Sequence, residues 1–341
     1  MSIYTIFEFV IAFLPILIFL ACLMVFDSFK LVKLRSLIIV IFMGMITAFA
    51  AIVLNYNLIG LLEISTRTYS RFLAPIAEEI LKILFIVYLI KAKRIGFMVD
   101  AAIFGFAVGT GFAIIENIYY MRVLTDAGLL TWFVRGFGTA VMHGGTTAIA
   151  AIIIKDLSDR KNLPLILTIL PGLFAAILIH SLFNQFILPP VTTTLIILIT
   201  LPPVVYLVFK KSEQNTRQWL GTGLDSDMEM LKLLMAGNIS ESRIGNYLRS
   251  IQDNFSAQIV GDMICYLRIY LELSVKAKGV LIMKENGFDM APDPEIKAQF
   301  NELSFLEKTL GKTGKLAIQP LLNISDTDLW QLHMLQQDSV N

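Results

Sequence analysis

Seven runs of predominantly apolar residues, at 5–26, 37–55, 72–90, 98–120, 130–154, 164–188 and 192–209, constrain this chain more than any other feature. A helix rising about 1.5 Å per residue crosses a hydrocarbon layer with about 20 such residues. No water is available there to satisfy backbone amides, so each run must pair its own N–H and C=O groups. The expected fold is therefore all-α: a polytopic bundle of about seven transmembrane helices. Composition divides the chain in two. Residues 1–209 hold 14 Lys and Arg and 10 Asp and Glu, whereas residues 210–341 hold 14 and 17. A transmembrane domain over 1–209 and a small helical tail domain over 210–341 follow from this. Only 16% of the 341 residues are charged, against about 25% in soluble domains. A single water-soluble globule, a disulfide scaffold and a disordered chain are all excluded. The net charge of +1 gives no reason to expect nucleic acid as a partner. Cys22 and Cys265 stand too far apart in sequence and setting to suggest a bridge or a zinc site.

The first run lacks a basic leader and is long for a signal peptide, and Phe19-Leu20-Ala21-Cys22 resembles a lipoprotein box only faintly. Loop charge sets the expected orientation. Lys30, Lys33, Arg35, Lys91, Lys93, Arg94, Lys155, Arg160, Lys161, Lys210, Lys211 and Arg217 fall on one side, and only Arg67, Arg71 and Arg122 on the other. Basic loops stay in the cytoplasm, so the N-terminus is expected outside and the tail inside the cell. The tail reads as helices near 226–236, 240–252, 255–276, 295–310 and 325–337, punctuated by Lys284-Glu285-Asn286-Gly287 and Ala291-Pro292-Asp293-Pro294. It carries no repeat or catalytic spacing. An interaction or regulatory domain is the expectation, with His333 a surface or packing residue.

Small residues recur every four positions as Ala101, Gly105, Gly109 and Ala113, and again as Gly136, Ala140, Gly144 and Ala148. Each set forms a stripe along which another helix can approach closely. Against this background the ionisable residues stand out, since each costs about 2.5–3.5 kcal/mol at membrane depth on insertion scales. Glu78, Glu79 and Lys82 lie in the third run, Glu116 and Asn117 in the fourth, His143 in the fifth, and His180 and Asn184 in the sixth. Glu8 and Arg135 lie near outer ends. Counted at about 1.5 Å per residue, Glu78, Glu116 and His180 fall ~6–12 Å below the outer boundary, and His143 at roughly 20 Å. His180 and Asn184 are four residues apart and share a helix face, as do Glu78 and Lys82. The adjacent Glu78 and Glu79 point about 100° apart and cannot equally face one crevice.

Two carboxylates in a dry site favour a proton-accepting group that activates water. A nearby imidazole can hold that water or share its proton. A His and an Asn on one face can donate to a developing oxyanion, worth about 2.7–4 kcal/mol per well-placed donor. That is a peptide-hydrolysing set without a covalent nucleophile. The chain has no His-Glu-x-x-His and no Gly-x-Ser-Gly setting with a His partner, and Gly109-Thr110-Gly111-Phe112 puts Phe where a Gly-x-Gly-Asp site has its aspartate.

Glu78-Glu79-Ile80-Leu81-Lys82 matches Glu-Glu-x-x-Lys, Phe112 to Asn117 matches Phe-x-x-x-Glu-Asn, His143 heads a third motif, and His180 to Asn184 matches His-x-x-x-Asn. In this order on successive spans, the four motifs resemble the PrsW family of intramembrane proteases, related to the CAAX prenyl endopeptidases and bacteriocin-processing proteins. The resemblance covers about residues 5–209 and makes that domain protease-like. It implies site-1 cleavage of a single-pass membrane protein, typically an anti-sigma factor, in a stress response, from a multi-pass position in the bacterial cytoplasmic (inner) membrane. Lipid and that substrate are the implied partners. It further implies Glu78 and Glu79 as the catalytic pair, with Glu78 as general base, His180 and Asn184 as oxyanion donors, and Lys82, Asn117 and Phe112 in support. Glu116 departs from the prenyl endopeptidases, which carry His there; it could share a proton with Glu78, be supported by His143, or bind a metal. A zinc enzyme using His143, His180 and Glu116 is thus an alternative. A proton-coupled transporter and a non-enzymatic membrane sensor are two more.

Overall fold

Backbone amides within an apolar run have no partners except each other, and the chain answers with helices throughout. The computed structural model describes residues 3–124, 127–159, 163–237, 242–288, 293–322 and 325–338, and every regular element among them is helical. Arg160 and Lys161 of the basic loop, positions 240–241 of the expected tail helix, and Ala291-Pro292 lie outside the described residues. The chain forms two compact units, Met1–Glu213 and Gln214–Asn341.

The first unit contains α1 (Ile3–Phe26), α2 (Leu34–Leu62), a single turn α3 (Thr66–Thr68), α4 (Ala74–Lys91), α5 (Met98–Val123), a short α6 (Leu129–Phe133), α7 (Val141–Ser158), α8 (Leu165–Asn184) and the first part of α9 (Pro190–Met235). Two π-helical stretches, Tyr69–Leu73 and Val134–Ala140, lead into α4 and α7. Among the described residues, six segments are long and apolar enough to cross a membrane: Ile6–Phe26, Leu34–Leu62, Met98–Val123, Leu129–Ser158, Leu165–Asn184 and Pro190–Met235. The remaining expected run, 72–90, is also helical as α4, but Glu78, Glu79 and Lys82 interrupt its apolar character.

The runs 192–209 and 226–236, expected as separate helices, are one helix, α9. The intervening Lys, Glu, Gln and Arg residues are good helix formers, and Pro202 and Pro203 stand within the helix.

α5 is the central helix, buried along nearly its whole length from Val99 to Ala113. The small-residue stripes explain this in part, because Gly105 and Gly109 of the first face Ala148 and Gly144 of the second, while Gly136 lies against Ile11 of α1. A Cβ at Gly105 would lie 2.7 Å from the Thr147 carbonyl oxygen, and one at Gly109 would lie 2.6 Å from the Gly144 Cα. Glycine is required for this backbone approach, and it draws α7 with His143 against α5. The outer helices turn large apolar side chains outward, among them Phe42, Phe49, Phe174 and Ile199. In a bilayer that surface meets lipid.

The second unit comprises α9 from Gln214, α10 (Arg243–Ile251), α11 (Ala257–Glu285), α12 (Pro294–Leu322) and α13 (Asp326–Asp338). The helix expected to end at 310 does change direction there: Gly311 takes φ 61° and ψ −171°, bending α12. The unit has its own core, with Met263, Leu267, Leu273 and Leu281 of α11 fully buried. Lys278 is buried among them, held by Asp227 at 2.7 Å and Ser274 at 2.9 Å.

Candidate active site

Helical phase separates the two adjacent glutamates of α4. Glu79 turns into the bundle and is fully buried, whereas Glu78 faces a cavity of about 420 Å³. That cavity is also lined by Glu116, His180, Asn184, Tyr69 and Asn55. Glu78 Oε1 accepts a hydrogen bond from Asn55 Nδ2 at 3.0 Å, and its Oε2 lies 3.8 Å from His180 Nε2. This gap is too long for a direct hydrogen bond, and one water at ordinary hydrogen-bond distance reaches both atoms.

Behind the cavity wall stands a buried charged layer. His180 Nδ1 is 2.8 Å from Glu79 Oε1, and Lys82 Nζ is 2.6 Å from the same oxygen. A carboxylate beside Nδ1 selects the tautomer with the proton on Nδ1, which leaves the Nε2 lone pair facing the cavity. Lys82 also lies 3.1 Å from His143 Nδ1 and sits over the Phe112 ring at 4.6 Å. The ammonium can only donate, so it selects the His143 tautomer with its proton on Nε2, which is 3.0 Å from Glu116 Oε2. Arg135 Nη2 makes an ionic contact of 3.2 Å with the same Glu116 oxygen. Burying an ion pair is costly unless each member finds further partners; here Glu79, Lys82, His143 and Glu116 all do.

His143, which the residue count placed far deeper than the other groups, stands ring-to-ring with His180 at a centroid distance of 4.8 Å. The count began every helix at the same boundary. Residues 129–140 instead form a short helix and a π-helical stretch ahead of α7, so the number of residues before His143 does not measure its depth.

Asn184 lines the cavity and donates through Nδ2 to the Ser70 carbonyl oxygen at 3.0 Å. The neighbouring π register explains why that carbonyl is free. Ala74 N–H is spent on the Tyr69 carbonyl oxygen, and the donor that the π register would bring to Ser70 is residue 75, a proline without an N–H. The second hydrogen on Asn184 Nδ2 is left for the cavity. Asn117, in contrast, faces away from Glu78. It bonds the Ala12 carbonyl oxygen and accepts from Arg135 Nε, so it positions the guanidinium beside Glu116.

The sequence reading omitted Asn55, Tyr69 and Thr146 from the site and left Arg135 without a partner. Tyr69 OH donates to Asn55 Oδ1 at 2.9 Å. Thr146 Oγ1 reaches Glu79 Oε1 at 3.5 Å. Asn55 and Thr146 carry a signal in retrospect, since each is a polar side chain within an apolar run.

A family model described as PrsW family intramembrane metalloprotease matches residues 33–208, just over half of the chain. The chain belongs to the PrsW family. Comparison with curated proteins and with solved structures yields no match. Membership makes it a multi-pass membrane peptidase, and the PrsW match spans Glu78, Glu79, Glu116, His143, His180 and Asn184. The family description implies a metal, and the donor chemistry here accommodates one. Among the described residues, Glu78, His143 and His180 present ligand atoms within 4.8 Å of one another. Two imidazoles and a carboxylate suit zinc, and Glu79 backs His180 as a carboxylate commonly backs a metal-binding histidine. The carboxylate of this trio is Glu78. Glu116, expected in the ligand set with His143 and His180, stands outside the group and is engaged by His143 and Arg135.

Proposed function

We propose that this PrsW-family protein is an intramembrane endopeptidase in which Glu78 and His180 together hold and activate the hydrolytic water. The observation that carries this reading is the 3.8 Å separation of Glu78 Oε2 and His180 Nε2 at the wall of the cavity. A water bridging them donates one hydrogen to each acceptor. As its oxygen attacks a peptide carbonyl, Glu78 takes the proton, acting as general base. The same proton then passes to the leaving amine. Glu79 orients His180 and balances the charge the ring acquires if it shares that proton, the part a buried carboxylate plays behind a catalytic histidine elsewhere. His180, assigned an oxyanion role by the family resemblance, serves better as a water acceptor with Glu79 behind Nδ1. The free Asn184 N–H is the oxyanion donor. Arg135 and His143 hold Glu116 in place at the cavity.

The three-donor group favours a second reading on the same scaffold. Glu78, His143 and His180 would hold a zinc ion, which when bound polarises the carbonyl and lowers the pKa of water. In that case Glu79 keeps its position behind His180, and His143 gives one of its two ring nitrogens to the metal, releasing its contact with either Lys82 or Glu116.

The substrate of this reading is a single-pass membrane protein of the anti-sigma-factor type. The loop charges support cleavage near the extracytoplasmic boundary, with the tail in the cytoplasm and the protein in a bacterial inner membrane. Reconstitution with a panel of single-pass substrates, with the products mapped by mass spectrometry, tests this. One cut near the external boundary, abolished in Glu78→Ala and His180→Ala, is the expected result. Metal content measured on the same preparation separates the two readings. Stoichiometric zinc lost together with activity on chelation selects the second, and full turnover by both variants defeats both.

A further inference from the structure

Outside the established motifs, the polar residues nearest the base candidate come from α2 and from the π-helical stretch before α4. We propose that Tyr69 and Asn55 form a positioning relay that fixes the orientation of the Glu78 carboxylate, an inference that rests on the reading of Glu78 as general base. Tyr69 is almost fully buried, at 1% exposure, and its hydroxyl donates to Asn55 Oδ1 at 2.9 Å. Asn55 Nδ2 in turn donates to Glu78 Oε1 at 3.0 Å.

The directions are chemically fixed. A carboxylate acting as base accepts and does not donate, so Asn55 must turn its NH₂ toward Glu78. Its carbonyl oxygen then faces Tyr69, and the phenol supplies the one hydrogen that this oxygen can take there. Without Tyr69 OH the amide loses the contact that anchors its carbonyl end. Without Asn55 the carboxylate is free to rotate about its last side-chain bond, a broad torsion with little intrinsic preference. With both in place, Oε1 is occupied and Oε2 is the oxygen left facing His180 Nε2 across 3.8 Å.

The π-helical stretch Tyr69–Leu73 is the common anchor. It supplies Tyr69 to the base side, and the Ser70 carbonyl oxygen to Asn184 on the oxyanion side. Single π turns inside helices recur at functional sites, and here one turn registers two groups of the proposed machinery to each other.

The test uses full-length reconstituted protein and separates kcat from KM. Asn55→Asp preserves size and still accepts from Tyr69, yet presents an oxygen to Glu78 in place of a donor. Tyr69→Phe removes one hydroxyl and keeps the ring. The relay predicts that Asn55→Asp and Asn55→Ala each lower kcat at least tenfold with KM changed less than about twofold, as misplacement of a reacting group does. Tyr69→Phe lowers kcat less, and in an Asn55→Ala background it has no further effect on kcat. Thermal midpoints measured alongside report structural loss separately. Wild-type kcat in Asn55→Asp, or an undiminished effect of Tyr69→Phe in the Asn55→Ala background, overturns the relay. Glu78→Gln run in the same series keeps the two claims distinct. If that variant is inactive while Asn55→Asp is fully active, only the relay fails; if Glu78→Gln is fully active, the reading of Glu78 fails with it.

Discussion

His180 Nδ1 lies 2.8 Å from Glu79 Oε1, and neither side chain is more than 3% exposed. This contact joins α4 to α8 and gives the second glutamate of the motif a task different from the first. Glu79 aims an imidazole; Glu78 faces the cavity. Replacing Glu79 by Gln keeps shape but offers His180 no carboxylate, and the amide can stabilise either tautomer. Peptidase kcat is expected to fall by up to about 10⁴-fold, the loss seen when the orienting carboxylate of a catalytic histidine is neutralised. KM should change little. A Glu79→Gln enzyme with wild-type kcat would remove Glu79 from the account.

Lys82 is buried completely and is held by Glu79, His143 and the Phe112 ring. Lys82→Met fills the same volume but strips Glu79 of its counter-ion. Breaking a buried pair in this way costs about 3–5 kcal/mol, so the thermal midpoint in detergent should drop clearly. Unchanged stability would mean that His180 and Thr146 suffice to hold Glu79.

The α5–α7 contact depends on absent side chains. A Cβ at Gly109 would press on the backbone of His143 and Gly144, so Gly109→Leu must push the helices apart. A loss of about 1–3 kcal/mol is expected from overpacking, together with loss of activity as His143 leaves Glu116. The matching control is Gly60→Leu, where among the described residues no atom beyond the neighbouring turn of its own helix lies within 4 Å of the added Cβ; it should retain both stability and activity.

The second unit should respond to alkali. Burial pushes the phenol of Tyr266 up to about 12 and that of Tyr270 higher still, with Asp328 adding to the shift for Tyr270. In the unfolded chain these groups ionise near about pH 10. Above that pH the unfolded state binds fewer protons than the folded one, so stability falls as pH rises; below it the two groups contribute no pH dependence. Tyr270 OH has no hydrogen-bond partner among the described residues, so Tyr270→Phe should retain stability at neutral pH and lose less of it in alkali. Denaturation of the full chain, followed on either side of about pH 10, reads this. Identical pH slopes for both proteins would contradict it.

The helices were legible because a bilayer leaves a long apolar run one way to satisfy its backbone. The site was legible in part for the related reason that charge at depth is costly, which singled out Glu78, Glu79, Glu116, His143 and His180 before any coordinates. What the sequence did not carry was pairing. Glu116 looked like a partner for both histidines, but Arg135 holds it beside His143, and Glu78 takes its place in the donor group. His143 seemed too deep because residues were counted as if every helix began level. The π-helical stretches at Tyr69–Leu73 and Val134–Ala140 come from tertiary bonding and leave little trace in a 3.6-residue period. Asn55 stands out as a polar residue in an apolar run, but nothing local to α2 says that a carboxylate from another helix waits for its amide.

The central claim is that Glu78 is the base for a water shared with His180. Glu78→Gln is nearly isosteric and removes only the basic oxygen, so its initial rate of cleavage, measured in proteoliposomes on a substrate that the wild type cuts, is the most direct test. The account predicts a kcat reduced by about 10²-fold or more with the substrate still bound at wild-type affinity. A kcat equal to that of the wild type would contradict it.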